Sequence, residues 1–205
     1  YPGNTLKEPN TINMHTHGLH VSPREDNVME HVSPGGRKVY TYTIPADHLP
    51  GLHWYHTHHH GASTLHILEG LSGMIRVMEP ATVTRGVSAS YGMMAEPQLL
   101  HLTHHPLCSC NPTDDPFSIR SIPLLKALMG DEQPLNYVAT PGFAVPVTDL
   151  VLTNGQFQPN IALVQNSWKR FDVVSAMADT FLEFEIHSTF GTVASACQMR
   201  LLAID

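Results

Sequence analysis

The sequence has few charged residues and no long apolar run, and each shortage limits what the protein can be. Charged residues make up 14% of the 205 residues, and the formal net charge is −7 with histidine counted as neutral. An acidic chain is a poor partner for nucleic acid or for an anionic membrane surface. Because the sequence contains no run of about eighteen apolar residues, we expect no membrane-spanning helix.

Cysteine is also scarce, with Cys108, Cys110 and Cys197 as the three examples. An odd number leaves at least one thiol outside any internal disulfide. Cys108 and Cys110 would point in the same direction within a strand, which does not allow an ordinary disulfide between them. The pair has the form Cys-x-Cys and could bind a soft metal with His104 and His105 nearby, but thiols without a ligand role are the favoured interpretation.

Histidine, by contrast, is abundant and clustered: there are 15, and eleven of them fall between His15 and His66. Two His-x-His pairs, His15/His17 and His56/His58, stand in strand-like surroundings. Side chains alternate along a strand, so both imidazoles of a pair leave the same face, roughly 6.5–7 Å apart at Cα. If the two strands are neighbours, four imidazoles converge. Neutral imidazole suits Cu, Zn, Fe and Ni, so the two pairs predict a metal site without identifying the metal.

A resemblance indicates which metal it is. The runs NMHTHGLHVSP at 13–23 and GLHWYHTH at 51–58 resemble the first two copper motifs of the multicopper oxidases, most closely those of bacterial laccase-like members. The turn and strand at 34–45 and the glycine-punctuated strand at 69–77 are similar to the same family. The resemblance covers most of residues 4–80.

The resemblance implies an all-β protein, a cupredoxin-like Greek-key β-sandwich with two consecutive, incomplete domains. Domain 1 would span 1–82, with its amino-terminal strands missing, and domain 2 would span 83–205, truncated at its carboxyl end. The run LVLTNGQFQP at 150–159 resembles the hairpin of the second domain, and Asn154-Gly155 is independently typical of a type I′ turn. The resemblance implies a strand at 167–174, and local patterns predict further strands at 38–44, 98–108 and 181–186 and short helices at 63–68 and 122–129.

The resemblance also assigns roles to individual residues. It implies that His15 holds a type 2 copper and that His17, His56 and His58 hold a type 3 pair, which is half of an eight-histidine trinuclear cluster. It places Asp26 beside that cluster, where a carboxylate can orient a copper-bound water and pass protons to oxygen. An Asx turn is an equally weighted interpretation of Asp26.

The implied function is that of a copper-dependent, laccase-like oxidoreductase, which oxidises phenolic, amine or metal-ion donors and reduces O2 to water. A type 1 copper needs two histidines, a cysteine thiolate and usually a methionine. No His-Cys-His run is present, so we expect that copper in a missing carboxy-terminal domain. The partners would be a small-molecule reducing substrate, O2, and a third cupredoxin domain or another subunit that completes the cluster. The resemblance implies a periplasmic or secreted location, and this fragment alone should be inactive.

Two other functions are compatible with the same residues, and a third does not fit them. The chain could be a copper-binding or copper-sequestering module without turnover. It could belong to a two-domain copper oxidase, whose sites are completed between the subunits of a trimer. A zinc hydrolase would need an open tetrahedral site with a general base, and no motif in the sequence fits one.

Overall fold

The computed structural model describes residues 8–78, 96–108, 147–178 and 182–186, together with Met199 and Leu201. Strands dominate these residues, and the short helix α1 covers Ser63–Leu68. The strands are His15–His17 (β1), Gly51–His56 (β2), Ser72–Val77 (β3), Gln98–Cys108 (β4), Val147–Thr153 (β5), Gln156–Phe157 (β6) and Phe171–Ala176 (β7). The all-β prediction is confirmed, and the architecture is consistent with a cupredoxin-like fold.

The first sheet has the order β1-β2-β3, and all of its pairings are antiparallel. The central strand β2 pairs His56 with His15 on one side and with Ser72 on the other. Both predicted histidine motifs therefore enter neighbouring strands. Pairing stops at His56, so His58 follows the end of the strand rather than lying within it.

Helix α1 connects β2 to β3 and confirms the short helix predicted at 63–68. It buries Leu65, His66 and Leu68. The helix ends where Gly70 adopts a positive φ of 87°, and the N–H of Leu71 donates to the carbonyl of His66. The left-handed conformation of Gly70 turns the chain directly into β3, and glycine adopts it without the steric cost that a Cβ would add.

The second sheet has the order β6-β5-β4-β7, with β4 and β7 parallel and the other pairs antiparallel. The long strand predicted at 98–108 is confirmed as β4. Asn154 and Gly155 join β5 to β6 with φ values of 52° and 74°, as the predicted type I′ turn requires. The strand predicted at 167–174 forms from Phe171 onwards, as β7.

The two sheets lie against each other, with β7 contacting β2 and β3 and with α1 contacting β4. The buried apolar side chains of the described residues come from both sides of this contact: Ala62, Leu65, Leu68, Leu102, Val174 and Ala176. Polar contacts also cross it. The Ser72 hydroxyl lies 3.0 Å from His101 Nε2, and Arg76 Nε lies 3.7 Å from the Asp172 carboxylate.

Two predicted strands do not form a β ladder. Residues 38–44 and 182–186 are described, and neither segment pairs with another strand within the described ranges. In the first segment Tyr40 and Tyr42 are half-buried and Val39 is 74% exposed, so the alternation in sequence corresponds to one-sided burial without a ladder. At Thr43 the Glu25 carboxylate takes the place of a carbonyl on a neighbouring strand, since it accepts both the backbone N–H and the hydroxyl of Thr43. The helix predicted at 122–129 lies outside the described residues.

Candidate metal centre

Three histidines from β1 and β2 form a compact group. Each of His15, His17 and His56 offers one ring nitrogen, and these nitrogens all lie within 4.8 Å of one another. The ring centroids are 5.3 Å apart for His15 and His56 and 5.5 Å apart for His17 and His56. The register explains the convergence: His15 and His56 are direct cross-strand partners, and alternation returns His17 to the same face.

His58, the fourth predicted ligand, lies next to this group without joining its tightest part. Its ring centroid is 5.2 Å from that of His15 and 6.0 Å from that of His56. Its Nδ1 atom is buried and has no hydrogen-bond partner among the described residues. The four imidazoles therefore occupy one region, as the paired motifs predict, with His58 at its margin.

Two of the rings are oriented by hydrogen bonds from Nδ1, and His56 Nε2 in addition lies 3.3 Å from His17 Nδ1. His15 Nδ1 donates to Asp26 Oδ2 at 2.7 Å, and His56 Nδ1 donates to the carbonyl of Thr57 at 2.8 Å. A neutral imidazole that donates through Nδ1 keeps its lone pair on Nε2. The ring orientation is thus set by a carboxylate for His15 and by a carbonyl for His56.

Asp26 is held tightly in this position. Its second oxygen, Oδ1, accepts the backbone N–H of Thr16 at 3.0 Å, so both carboxylate oxygens are used on β1. The sequence predicted an acidic residue beside the histidines, and the structure brings Asp26 into contact with His15 itself. Burial raises the pKa of the neighbouring Tyr42 to about 12, and the charges of Asp26 and Tyr40 add to the effect.

Electrostatics favour the neutral state of His56. Burial lowers its pKa, the hydrogen bond to Thr57 opposes that shift, and the neighbouring His15, His17 and His58 lower it further. Only the deprotonated imidazole has a lone pair for a metal ion, so a lowered pKa extends the pH range over which His56 can be a ligand.

Trp54 covers one side of the group. Its ring stacks on His56 with centroids 4.2 Å apart and on His17 with centroids 5.1 Å apart. Trp54 is the cross-strand partner of His17, which puts the indole on the same face as the imidazoles. The indole thus packs against both rings, of which His56 is buried and His17 is exposed.

The segment between His56 and His58 is anchored by side chains whose contacts the sequence did not indicate. The hydroxyl of Thr57 bonds to His66 Nδ1 at 2.8 Å, and His66 Nε2 donates to the carbonyl of Pro9 at 2.6 Å. His66 is 1% exposed.

Other histidines lie outside the compact group. His20 is exposed, and its backbone N–H donates to His48 Nε2 at 3.0 Å. The His59 ring lies 5.5 Å from that of His31, away from the group, while the His60 ring lies 5.7 Å from that of His58. Cys110 and Cys197 lie outside the described residues, as does the side chain of Cys108.

An all-β domain with imidazoles converging from two antiparallel strands has the architecture of a cupredoxin-like metal protein. Residues 3–82 match the family model described as multicopper oxidase. This part of the chain is therefore a multicopper oxidase domain, and the family binds copper and acts as an oxidoreductase on reducing substrates and O2. A search of the curated proteins found no match. Among the described residues, no helix is long and apolar enough to span a bilayer.

Proposed function

We propose that this chain is part of a laccase-like multicopper oxidase, in which it supplies half of a trinuclear copper cluster. The donors would be phenols, amines or metal ions, and O2 would be reduced to water. The observation that carries the proposal is the compact group of His15, His17 and His56 within a domain of the multicopper oxidase family. Imidazole suits Cu, Zn, Fe and Ni alike, so the choice of copper rests on the family.

In this proposal His15 holds a type 2 copper, while His17, His56 and His58 hold a type 3 pair. When bound, the copper ions supply the redox chemistry that passes electrons one at a time from donors to O2. The protein's own contribution is orientation and proton supply. Asp26 accepts the Nδ1 proton of His15, with 2.7 Å between Nδ1 and Oδ2, and this contact supports a role in delivering protons during oxygen reduction.

The remaining parts of the enzyme would come from elsewhere. We assign residues 1–82 to a first cupredoxin domain and 83–205 to a second. The type 1 copper and the other four histidines of the cluster would lie in a third domain or in another subunit, and the protein would be periplasmic or secreted. The chain alone is then expected to bind copper without turning over.

Copper titration of the chain tests the site. Trp54 stacks on two of the proposed ligands, and the sequence contains one other tryptophan, Trp168. In a Trp168→Phe background, Cu(II) should therefore quench the Trp54 fluorescence. His17→Ala should weaken binding by more than the roughly 10–100-fold that is typical of residues which only support a ligand. His31→Ala, which removes an exposed histidine, is the matched control and should bind like the parent.

The same samples test turnover. We expect no blue-copper absorption band at about 600 nm, because no cysteine stands in a blue-copper motif. We also expect no sustained O2 consumption with a phenolic donor. Equal affinity in the His17→Ala and His31→Ala variants would refute the metal assignment, and turnover by this chain alone would refute the assignment of half a cluster.

A copper-binding module without catalysis is the second candidate. It is favoured by the fact that three ligand nitrogens already lie within 4.8 Å of one another in this chain alone. The coding sequence beyond Asp205 discriminates between the two candidates. A His-Cys-His run followed by methionine there would support the oxidase, and a stop codon without such a run would support the module.

A further inference from the structure

Asn13 is a buried polar residue beside the candidate metal centre, and the roles assigned above do not use it. It is 4% exposed and precedes His15 by two residues, so its side chain leaves the same side of the chain as that ligand. In the register that pairs His15 with His56, two further steps place Asn13 opposite His58. The β ladder has ended there, and neither residue belongs to a strand.

The side-chain amide of Asn13 supplies the contact that the ladder no longer makes. Its Oδ1 accepts the backbone N–H of His58 at 2.6 Å, and its Nδ2 donates to the carbonyl of Val28 at 2.8 Å. Val28 follows Asp26 by two residues. One amide group therefore joins three parts of the site: the first motif, the second motif and the loop that carries Asp26.

The bonded peptide unit links two of the proposed ligands. Its N–H belongs to His58 and is held by Asn13, while its carbonyl belongs to Thr57 and accepts His56 Nδ1 at 2.8 Å. The orientation of this single peptide plane thus determines both where His58 begins and how the His56 ring is turned.

In the second sheet another asparagine side chain bonds to the backbone opposite it, and no proposed metal ligand is involved there. Asn154 lies one step beyond the β4–β5 pairing, opposite His101. Its Oδ1 accepts the N–H of His101 at 2.8 Å, and its Nδ2 donates to the carbonyl of Leu99 at 2.9 Å. Asn154 also donates its backbone N–H to the His101 carbonyl at 2.8 Å, so there the side chain reinforces a register that the backbone still makes. At Asn13 the histidine that it holds belongs to the metal centre.

We propose that Asn13 is a positioning residue for the copper site, which fixes the His58 backbone and, through the Thr57–His58 peptide, the His56 ring. This inference rests on the proposed metal-binding function. It predicts that losing the Asn13 amide weakens metal binding through His58, in addition to any loss of stability.

The first test is Cu(II) titration, with Trp54 fluorescence as the readout. Asn13→Leu removes both hydrogen bonds at similar volume and should weaken binding about 10–100-fold, the usual effect of losing a residue that orients a ligand. Asn154→Leu removes the equivalent pair of bonds in the second sheet and should leave copper affinity unchanged while lowering the Tm. If both variants have the affinity of the parent chain, the proposal is refuted.

A double-mutant cycle separates positioning from general destabilisation. In a His58→Ala background the ligand on which Asn13 acts is gone, so adding Asn13→Leu should change the copper affinity much less than it does in the parent chain. An equally large loss in both backgrounds would mean that Asn13 acts on the fold as a whole, and the inference would be wrong.

A metal-free measurement keeps this inference distinct from the proposed function. The His58 amide should exchange slowly with solvent deuterium in the parent chain and about tenfold or more faster in Asn13→Leu. Asn13→Asp keeps an acceptor oxygen and should retain slow exchange, so it serves if Asn13→Leu does not fold. If the parent chain binds no copper while its His58 amide exchanges slowly, the metal assignment is refuted and the Asn13–His58 hydrogen bond still holds. Fast exchange of that amide in the parent chain would refute the inference about Asn13.

Discussion

Replacing Asp26 with asparagine tests the most specific contact in the candidate site. The carboxylate accepts two N–H groups, from His15 Nδ1 at 2.7 Å and from the Thr16 backbone at 3.0 Å. An asparagine amide has one acceptor oxygen, and its NH2 group would face the other donor. Asp26→Asn therefore keeps the shape of the side chain but must give up one of these two bonds, together with the charge.

The expected loss of copper affinity follows from the kind of hydrogen bond that is lost. Hydrogen bonds to charged groups contribute about 1.5–3 kcal/mol. Since each 1.4 kcal/mol corresponds to about a tenfold change in an equilibrium constant, copper binding should weaken by roughly 10–100-fold. The same range is found when residues that orient metal-bound histidines are replaced. The contact with His15 thus predicts lower copper affinity, whereas a carboxylate acting only as a proton relay would leave copper content unchanged.

The assay is Cu(II) titration by Trp54 fluorescence in the Trp168→Phe background. Asp47→Asn makes the same charge change at an exposed turn and serves as the matched control. We expect Asp26→Asn to bind copper 10–100-fold more weakly than Asp47→Asn. Equal affinities would show that the Asp26–His15 bond does not orient a ligand. In the complete oxidase, fully copper-loaded Asp26→Asn should also reduce O2 about 10²–10⁴-fold more slowly if the residue is a proton donor.

Two further predictions concern stability. His66→Leu leaves the buried Thr57 hydroxyl without its partner and should lower the free energy of unfolding, measured in urea, by about 1–3 kcal/mol. His66→Gln can replace both hydrogen bonds and should be more stable than His66→Leu. Equal stability of the two variants would contradict this prediction. Burial lowers the pKa of His101. The unfolded chain therefore takes up that proton first as the pH falls, and stability is lost from about pH 6.5 down to the folded pKa. His101→Gln should show a smaller decrease in Tm over that window than the parent chain, and an identical decrease would exclude a contribution from His101.

The sequence was most informative where local chemistry and the fold agree. The Asn154-Gly155 turn needs two left-handed residues, and few residue pairs adopt that conformation readily. The His-x-His spacing needs only the alternation of a strand to place both imidazoles on one face. The strand predicted at 38–44 failed for the opposite reason. Alternation indicates one-sided burial, but it does not say whether a neighbouring backbone is available, and here the Glu25 side chain takes that place.

The supporting contacts of the site were less accessible to sequence reasoning. Asn13 stood inside the first copper motif, yet its bond to His58 depends on a register that joins residues 45 positions apart. The same holds for His66, whose partners are nine and 57 positions away. A polar residue at every second position, as in Asn13, His15 and His17, was the signal that could have included Asn13 in the site. Alternation gives the face of a residue, but it does not give its partner on another strand.

The register of β1 and β2 also has a consequence for the unfolded chain. His17 and His56 are 39 positions apart, and β1 contributes three residues to the sheet, where β2 is its one partner among the described strands. An ion bound by both rings would act as a reversible cross-link that closes this long loop. For a permanent cross-link of that span, the loss of chain entropy corresponds to stabilisation on the order of 4 kcal/mol. The bound ion would then hold β1 on the sheet, and removing it with a chelator would let β1 unfold locally before the rest of the sheet.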